Sequence, residues 1–218
     1  MNGFKHLFDF LERLQQNNHK EWMDAHRKEY FEVRDFFIDW LDRMNIKLSL
    51  IDPGYFNTPG RKAINRINNN LLFHPNKPVY KDHFAAGLDQ VSKQGDFYIE
   101  LGLNACFMGG GYWHPSSKVL KSIREAIDYN GEELIAILNK RSFKKMFGGM
   151  VPSESLKQPP RGYSNDHPHI DLLKQRSFAA GLEFSKAAVF KDDFEDWVVE
   201  VYRELLPFRR YLNEAVSV

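Results

Sequence analysis

Apolar residues recur at three- and four-residue steps at the start of the chain: Phe4, Leu7, Phe8, Leu11 and Leu14. That spacing puts them on one face of an amphipathic helix. Asn17 and Asn18 end it, and Asn18 followed three residues later by Glu21 has the form of a capping box, in which side chains satisfy the free N–H groups of a new helix. The second helix carries Trp22, Tyr30, Val33, Phe37, Trp40, Leu41, Met44 and Leu48 at helical spacing, and Asp52-Pro53-Gly54 is expected to stop it. Its length makes it the expected packing surface for the sheet that follows.

The period then changes to two. Phe97, Ile99, Leu101 and Leu103 alternate with Tyr98, Glu100 and Gly102, the pattern of a strand with one face on the core. His83 to Leu88 is the expected partner strand, with Ser92 to Gly95 as the turn region, and Phe178, Ala180, Leu182 and Phe184 alternate in the same way. A further short strand is expected near Ile64 to Ile67. Helical spacing returns at Val119, Leu120, Ile123 and Ile127, again at Leu134, Ile135 and Leu138, and in a last stripe of Phe190, Phe194, Trp197, Val198, Val201 and Leu205. That C-terminal helix is acidic on its other side and is expected to bend or end near Pro207. The pattern predicts an α+β fold: a mainly antiparallel sheet packed by a long N-terminal helix and a C-terminal helix. No internal repeat or long linker divides the chain, so residues 1–218 are expected to form a single domain.

Composition narrows the function classes only slightly. With 218 residues, 43% of them hydrophobic, the chain can build a substantial core. A formal net charge of +1 gives no global attraction to nucleic acid or anionic membrane, so either partner would have to be held by a local patch. The single cysteine, Cys106, reads as a small buried hydrophobe and suits a reducing compartment. No apolar run approaches the roughly 20 residues of a membrane span, and the N-terminal stretch is interrupted by charge. A cytoplasmic protein with no membrane partner is the expectation.

Local charge is more informative. Between Pro53 and Lys81 there is no acid, while Arg61, Lys62, Arg66, Lys77 and Lys81 all fall inside, among turn formers such as Asn68-Asn69-Asn70 and His74-Pro75-Asn76-Lys77-Pro78. From Lys140 to Asn165 six cations, ending at Arg161, face one acid, Glu154. Gly109-Gly110-Gly111 leads through Tyr112 to a helix, and glycines there let backbone approach an anion, although neither a P-loop nor a GxGxxG pattern is present. His26 and Tyr30, four residues apart on one helix face, are candidates for a pocket wall.

The densest polar stretch is Arg161 to Phe178, expected to be a loop running into a short helix and then a strand. It contains Arg161, Tyr163, Asp166, His167, His169 and Asp171. The favoured reading is an anion- or phosphate-binding pocket for a nucleotide or nucleic-acid-like ligand. In it Arg61, Arg66, Lys77, Lys81 and Arg161 hold the anion, Tyr80 or Tyr163 stacks a base, and Gly109, Gly110, Gly111, Asp166 and His167 complete the wall. One alternative is a hydrolase using Asp166, His167, His169 and Asp171, with or without a metal. Leu172 stands where a further histidine would complete a binuclear zinc pattern, so no metal site is expected; instead Asp166 is placed to cap a helix whose first turn contains Pro168. The other alternative is a non-enzymatic protein-interaction domain. The residues name no cofactor.

Several segments together resemble the family known as domain of unknown function 2461. They are Asn18-His19-Lys20-Glu21-Trp22 with His26-Arg27 and Tyr30; Pro59-Gly60-Arg61; Arg66-Ile67; Lys77-Pro78-Val79-Tyr80-Lys81 with His83-Phe84; the glycine triplet with Tyr112; and Arg161-Gly162-Tyr163 with Asp166-His167-Pro168 through Phe178. The resemblance implies one bacterial-type domain of about this length and supplies no activity, substrate or cofactor. Two departures stand out. An Arg-Asp-x-Arg run of the family is replaced here by Asn69-Asn70-Leu71-Leu72, and an acid and a serine before the glycine triplet by Gly102 and Cys106.

Overall fold

The computed structural model describes residues 3–91 and 94–216. The chain divides into two compact units. One takes the chain up to Gln90, then Tyr98–Met108 and Glu183–Val199; the other takes Val91–Phe97, Gly109–Leu182 and the chain from Glu200 on. Among the described residues the elements run α1 (Gly3–Gln16), α2 (Lys20–Ala25), α3 (Arg27–Ser49), α4 (Gly60–Ala63), β1 (His83–Leu88), β2 (Phe97–Gly102), β3 (Cys106–Tyr112), α5 (Ser117–Asn139), α6 (Arg141–Phe147), α7 (Ile170–Leu173), β4 (Phe178–Phe184), α8 (Lys186–Val189) and α9 (Phe194–Ala215). The strands form one antiparallel sheet whose order, β1-β2-β3-β4, follows the chain. The α+β class and the long terminal helices are therefore as the pattern implied.

In the first unit α1 buries Phe4, Leu7, Phe8, Phe10, Leu11 and Leu14, and α3 buries Val33, Phe37, Trp40, Leu41, Met44 and Leu48. Aromatic packing joins them. Phe4 meets Phe36, Trp40 and Phe194 edge-on at centroid distances of 5.1, 5.5 and 5.7 Å. Such edge-to-face pairs add about 0.5–1.5 kcal/mol each beyond the area they bury. Cys106 is fully buried, its thiol 3.6 Å from the Gly102 carbonyl, and burial pushes its pKa up. It is a packing residue, as expected.

Three local expectations for this unit need correction. The single helix from Asn18 to Asp52 is two helices, because His26 leaves helical geometry (φ −109°, ψ 17°). Its ring Nδ1 donates to the Trp22 carbonyl at 2.8 Å and stacks on the indole at 3.9 Å, so the side chain competes for the helix's own acceptor. The cap is also displaced by one residue. His19, in extended geometry, accepts the Trp22 N–H on its Nδ1 at 3.3 Å. Asn18 is engaged elsewhere: its amide donates to the Tyr80 carbonyl at 3.0 Å, and its oxygen accepts the Tyr80 N–H at 2.8 Å. The short strand near Ile64 to Ile67 is reduced to isolated antiparallel bridges, Ile64 with Ala86 and Asn68 with Tyr80.

In the second unit α5 is two helical segments meeting at Asn130 (φ −148°, ψ 58°), which accounts for the two separate stripes in the sequence. The glycine triplet belongs to strand β3 rather than to a connection. A Cβ on Gly110 would lie 2.6 Å from the Asp96 carbonyl oxygen, and one on Gly111, whose φ is +112°, 2.3 Å from that of Phe178. Close approach of the protein's own backbone uses these glycines. Helix α9 does not end at Pro207 but continues to Ala215, with Phe208, Tyr211 and Leu212 buried beyond it. Of the expected turn at Ser92 to Gly95, Ser92 and Lys93 lie outside the described residues; Gly95 donates its N–H to Asn213 Oδ1 at 3.0 Å and its carbonyl accepts from Arg209 at 2.9 Å.

Candidate functional site

A cavity of about 270 Å³ opens in the first unit beside Tyr80. Helix α2 contributes Lys20, Met23 and Asp24, which share a face because they are three and four residues apart. The first turn of α3 contributes Arg27 and Tyr30, and the segment after α4 contributes Ile67, Asn68, Val79 and Tyr80. The break at His26 has a use here. It lets two short helical faces present cations to one space.

The electrostatics are uneven. Lys20 reaches one oxygen of Asp24 at 2.8 Å and Arg27 reaches the other at 2.6 Å, so one carboxylate is shared by two cations. The ammonium of Lys20 and the guanidinium of Arg27 hold the Asp24 carboxyl below its ordinary range. Among the lining side chains one positive charge is left over; Glu21, on the same helix but outside the lining, also bears on Lys20 and Tyr80. Burial raises the phenol pKa of Tyr30 and of Tyr80. Among the described residues neither hydroxyl has a hydrogen-bond partner, so both are available to a ligand. The Asn18 amide fixes the Tyr80 backbone through both of its hydrogen-bonding groups, which sets where the ring stands.

Of the residues expected in an anion site, Tyr80 lines this cavity. Arg61, on α4, and Arg66 and Lys77, on the loop, are exposed and lack a carboxylate partner among the described residues. Lys81 is half-buried, and its ammonium donates to the Arg66 carbonyl at 2.9 Å. Burial lowers its pKa, and the nearby charges of Arg66 and Lys77 lower it further, against Glu100. His26 packs on Trp22 while Tyr30 faces the cavity. Lys20, Asp24 and Arg27 escaped the sequence reading as ligands. The i, i+4 spacing of Lys20 and Asp24 was the available signal, and it is common on any solvated helix.

Gly109, Gly110, Gly111, Arg161, Tyr163, Asp166 and His167 all belong to the second unit. Here the Arg161 to Phe178 stretch is the expected loop, short helix and strand, but α7 begins at Ile170 with His169 before it, so Asp166 is exposed and caps nothing. The histidines find carboxylates on α5. His167 Nδ1 accepts the His169 N–H at 3.0 Å, which leaves the proton on Nε2 to donate to Asp128 at 2.9 Å. His169 Nε2 lies 3.1 Å from Glu132, and its buried Nδ1 has no partner. The His169 ring occupies the space a side chain at residue 131 would take, since a Cβ on Gly131 would lie 2.4 Å from it. Tyr163 packs edge-on to His167 at 5.7 Å. The carboxylate partners are thus Asp128 and Glu132, not Asp166 and Asp171. Among the described residues no group of three or more His, Cys, Asp or Glu side chains is arranged to hold a metal ion.

The family described as a conserved hypothetical protein (DUF2461) matches residues 6–211. The chain belongs to that family. No curated protein and no solved structure matches it. Family membership agrees with the resemblance carried by the sequence segments. Six of the nine residues lining the cavity come from those segments: Lys20, Arg27, Tyr30, Ile67, Val79 and Tyr80.

Proposed function

We propose that this member of the family binds a small anionic ligand in the cavity beside Tyr80. The carrying observation is the surplus charge there: Asp24 answers both Lys20 and Arg27, and two phenol hydroxyls stand free beside them. A phosphate or carboxylate oxygen takes up the unmatched positive charge, and arginine offers it two parallel N–H groups. The ring of Tyr80 or Tyr30 supplies an apolar face for a planar group such as a nucleobase. A volume of about 270 Å³ is small beside ordinary ligand pockets of roughly 300–1,000 Å³, which favours a mononucleotide-sized or smaller anion over a polymer.

Titration calorimetry of the full chain with nucleoside monophosphates, pyrophosphate and small carboxylates at low salt tests this. Binding to at least one is expected, weakening as salt is raised, with Arg27→Ala costing about tenfold in affinity. Failure of the whole panel at low salt, or affinity indifferent to both Arg27→Ala and Lys20→Ala, overturns the reading.

A further inference from the structure

The loop between Asn68 and Tyr80 is pinched at its neck and apolar at its tip. Asn68 and Tyr80 form an antiparallel bridge, and Asn69 repeats the closure with its backbone N–H on Val79 and its amide on Pro78, both at 2.9 Å. Beyond this neck a turn is held by the Asn70 carbonyl, which accepts from Phe73 at 3.2 Å and from His74 at 3.0 Å. On that turn sit Leu71, Leu72 and Phe73, exposed to 37%, 84% and 72%. Three consecutive large apolar residues in water are costly unless something covers them.

The charged residues of the loop itself have one sign, with Asp24 of α2 beside its neck. No Asp or Glu occurs from Pro53 to Lys81, and Arg66, Lys77 and Lys81 lie close enough that the first two depress the Lys81 ammonium. The acid that counters them, Glu100, is already engaged by the Tyr98 hydroxyl at 2.6 Å and faces His83 at 3.6 Å. Arg66 and Lys77 have no acid of their own among the described residues.

We propose that this loop docks the chain on an anionic lipid surface, Leu72 and Phe73 entering the headgroup boundary and Arg66 and Lys77 meeting lipid phosphates. Leu71, Leu72 and Phe73 are consecutive on one turn and all three are exposed. A fluid interface surrounds such a tip, whereas the face of a folded protein covers only one side of it. Two of the three are aliphatic and have no ring with which to stack a base, which disfavours single-stranded nucleic acid. Among the described residues no helix is long and apolar enough to cross a membrane, so the contact is peripheral. The sequence led to an expectation of no membrane partner, any such partner having to be held by a local patch; a basic, apolar loop tip is a patch of that kind, and the proposal departs from the expectation.

Co-sedimentation of the full chain with vesicles tests this, comparing pure phosphatidylcholine with a mixture in which one lipid in three is phosphatidylglycerol. Binding to the anionic vesicles at low salt is expected, with little to the neutral ones. Leu72→Asp with Phe73→Asp, and separately Arg66→Ala with Lys77→Ala, should each weaken it by about tenfold or more. Leu72→Ser, a milder change at an exposed position, should weaken it partially while leaving the melting temperature unchanged. Absence of binding to anionic vesicles, or binding indifferent to both double variants, overturns the proposal. So does a dimer that Leu72→Asp dissociates, because a second copy would then cover the tip, or an oligonucleotide that binds where vesicles do not. Vesicle binding that survives Arg27→Ala separates this inference from the cavity reading.

Discussion

Around Tyr80 in the first unit one carboxylate, Asp24, answers two cations; around His167 and His169 in the second unit each imidazole has a carboxylate of its own. Exposure differs too. Lys20, Asp24 and Arg27 are exposed, while His169 is buried in space that only a glycine at 131 leaves free. A matched and packed polar group is engaged by the fold, whereas surplus charge beside free hydroxyls remains available to something else. On the proposed reading the region richer in titratable side chains is the weaker candidate for binding, even with His169 Nδ1 buried and unpartnered.

The largest effect that would break this contrast is expected at Gly131. Gly131→Ala drives a methyl group into the His169 ring and should destabilise the protein by about 1–3 kcal/mol, read by urea denaturation. A stable Gly131→Ala would mean that the ring moves freely, and His169 would return as a functional candidate. Next is Asn18→Ala, which removes both bonds to the Tyr80 backbone. A loss of about 1–2 kcal/mol is expected by the same measurement, accompanied by weaker ligand binding at the cavity. Loss of stability with binding intact would show that Tyr80 does not line the ligand's seat.

The smallest effect appears only at high pH. Burial first, then Glu133 and Glu132, push the Tyr211 phenol up to about 12, and its hydroxyl donates to the Asn130 carbonyl at the kink at 3.1 Å. The folded pKa is above the unfolded value near 10. The folded state therefore holds its proton more tightly, and the stabilisation is complete below pH 10 and disappears as pH rises through 12. Tyr211→Phe should flatten the alkaline fall in stability between those limits. An unchanged alkaline limb would place the origin of that fall in other groups.

The long helices α1, α3, α5 and α9 and strands β2 and β4 were legible because their apolar residues repeat at the period of the element they form; β1 was placed only as the partner of β2, and α4, α6 and α8 were not anticipated. Strand β3 was not: Gly109, Gly110 and Gly111 have no side chains to alternate, and the contacts that make them necessary come from Asp96 and Phe178. The cap at His19 was misplaced by one residue because Asn18, an equally good local cap, is drawn off by Tyr80, 62 residues away. The same holds for the sites. Asp128 reaches His167 across 39 residues, a pairing that no short motif encodes, while among the described residues neither Asp166 nor Asp171 forms an ion pair with the histidines. Tyr80 was identified from an aromatic among cations; Lys20 and Arg27 gain their meaning only when α2, α3 and the loop share one cavity.

The buried Cys106 makes this chain convenient for attaching a reporter dye. Its sulfur is enclosed and its thiol is held protonated by burial, so it reacts slowly with maleimides. It is also the only cysteine in the sequence. A second one introduced at an exposed position, such as Leu72→Cys, becomes the single fast-labelled atom of the folded protein, and its fluorescence would report directly on whether the loop tip leaves water.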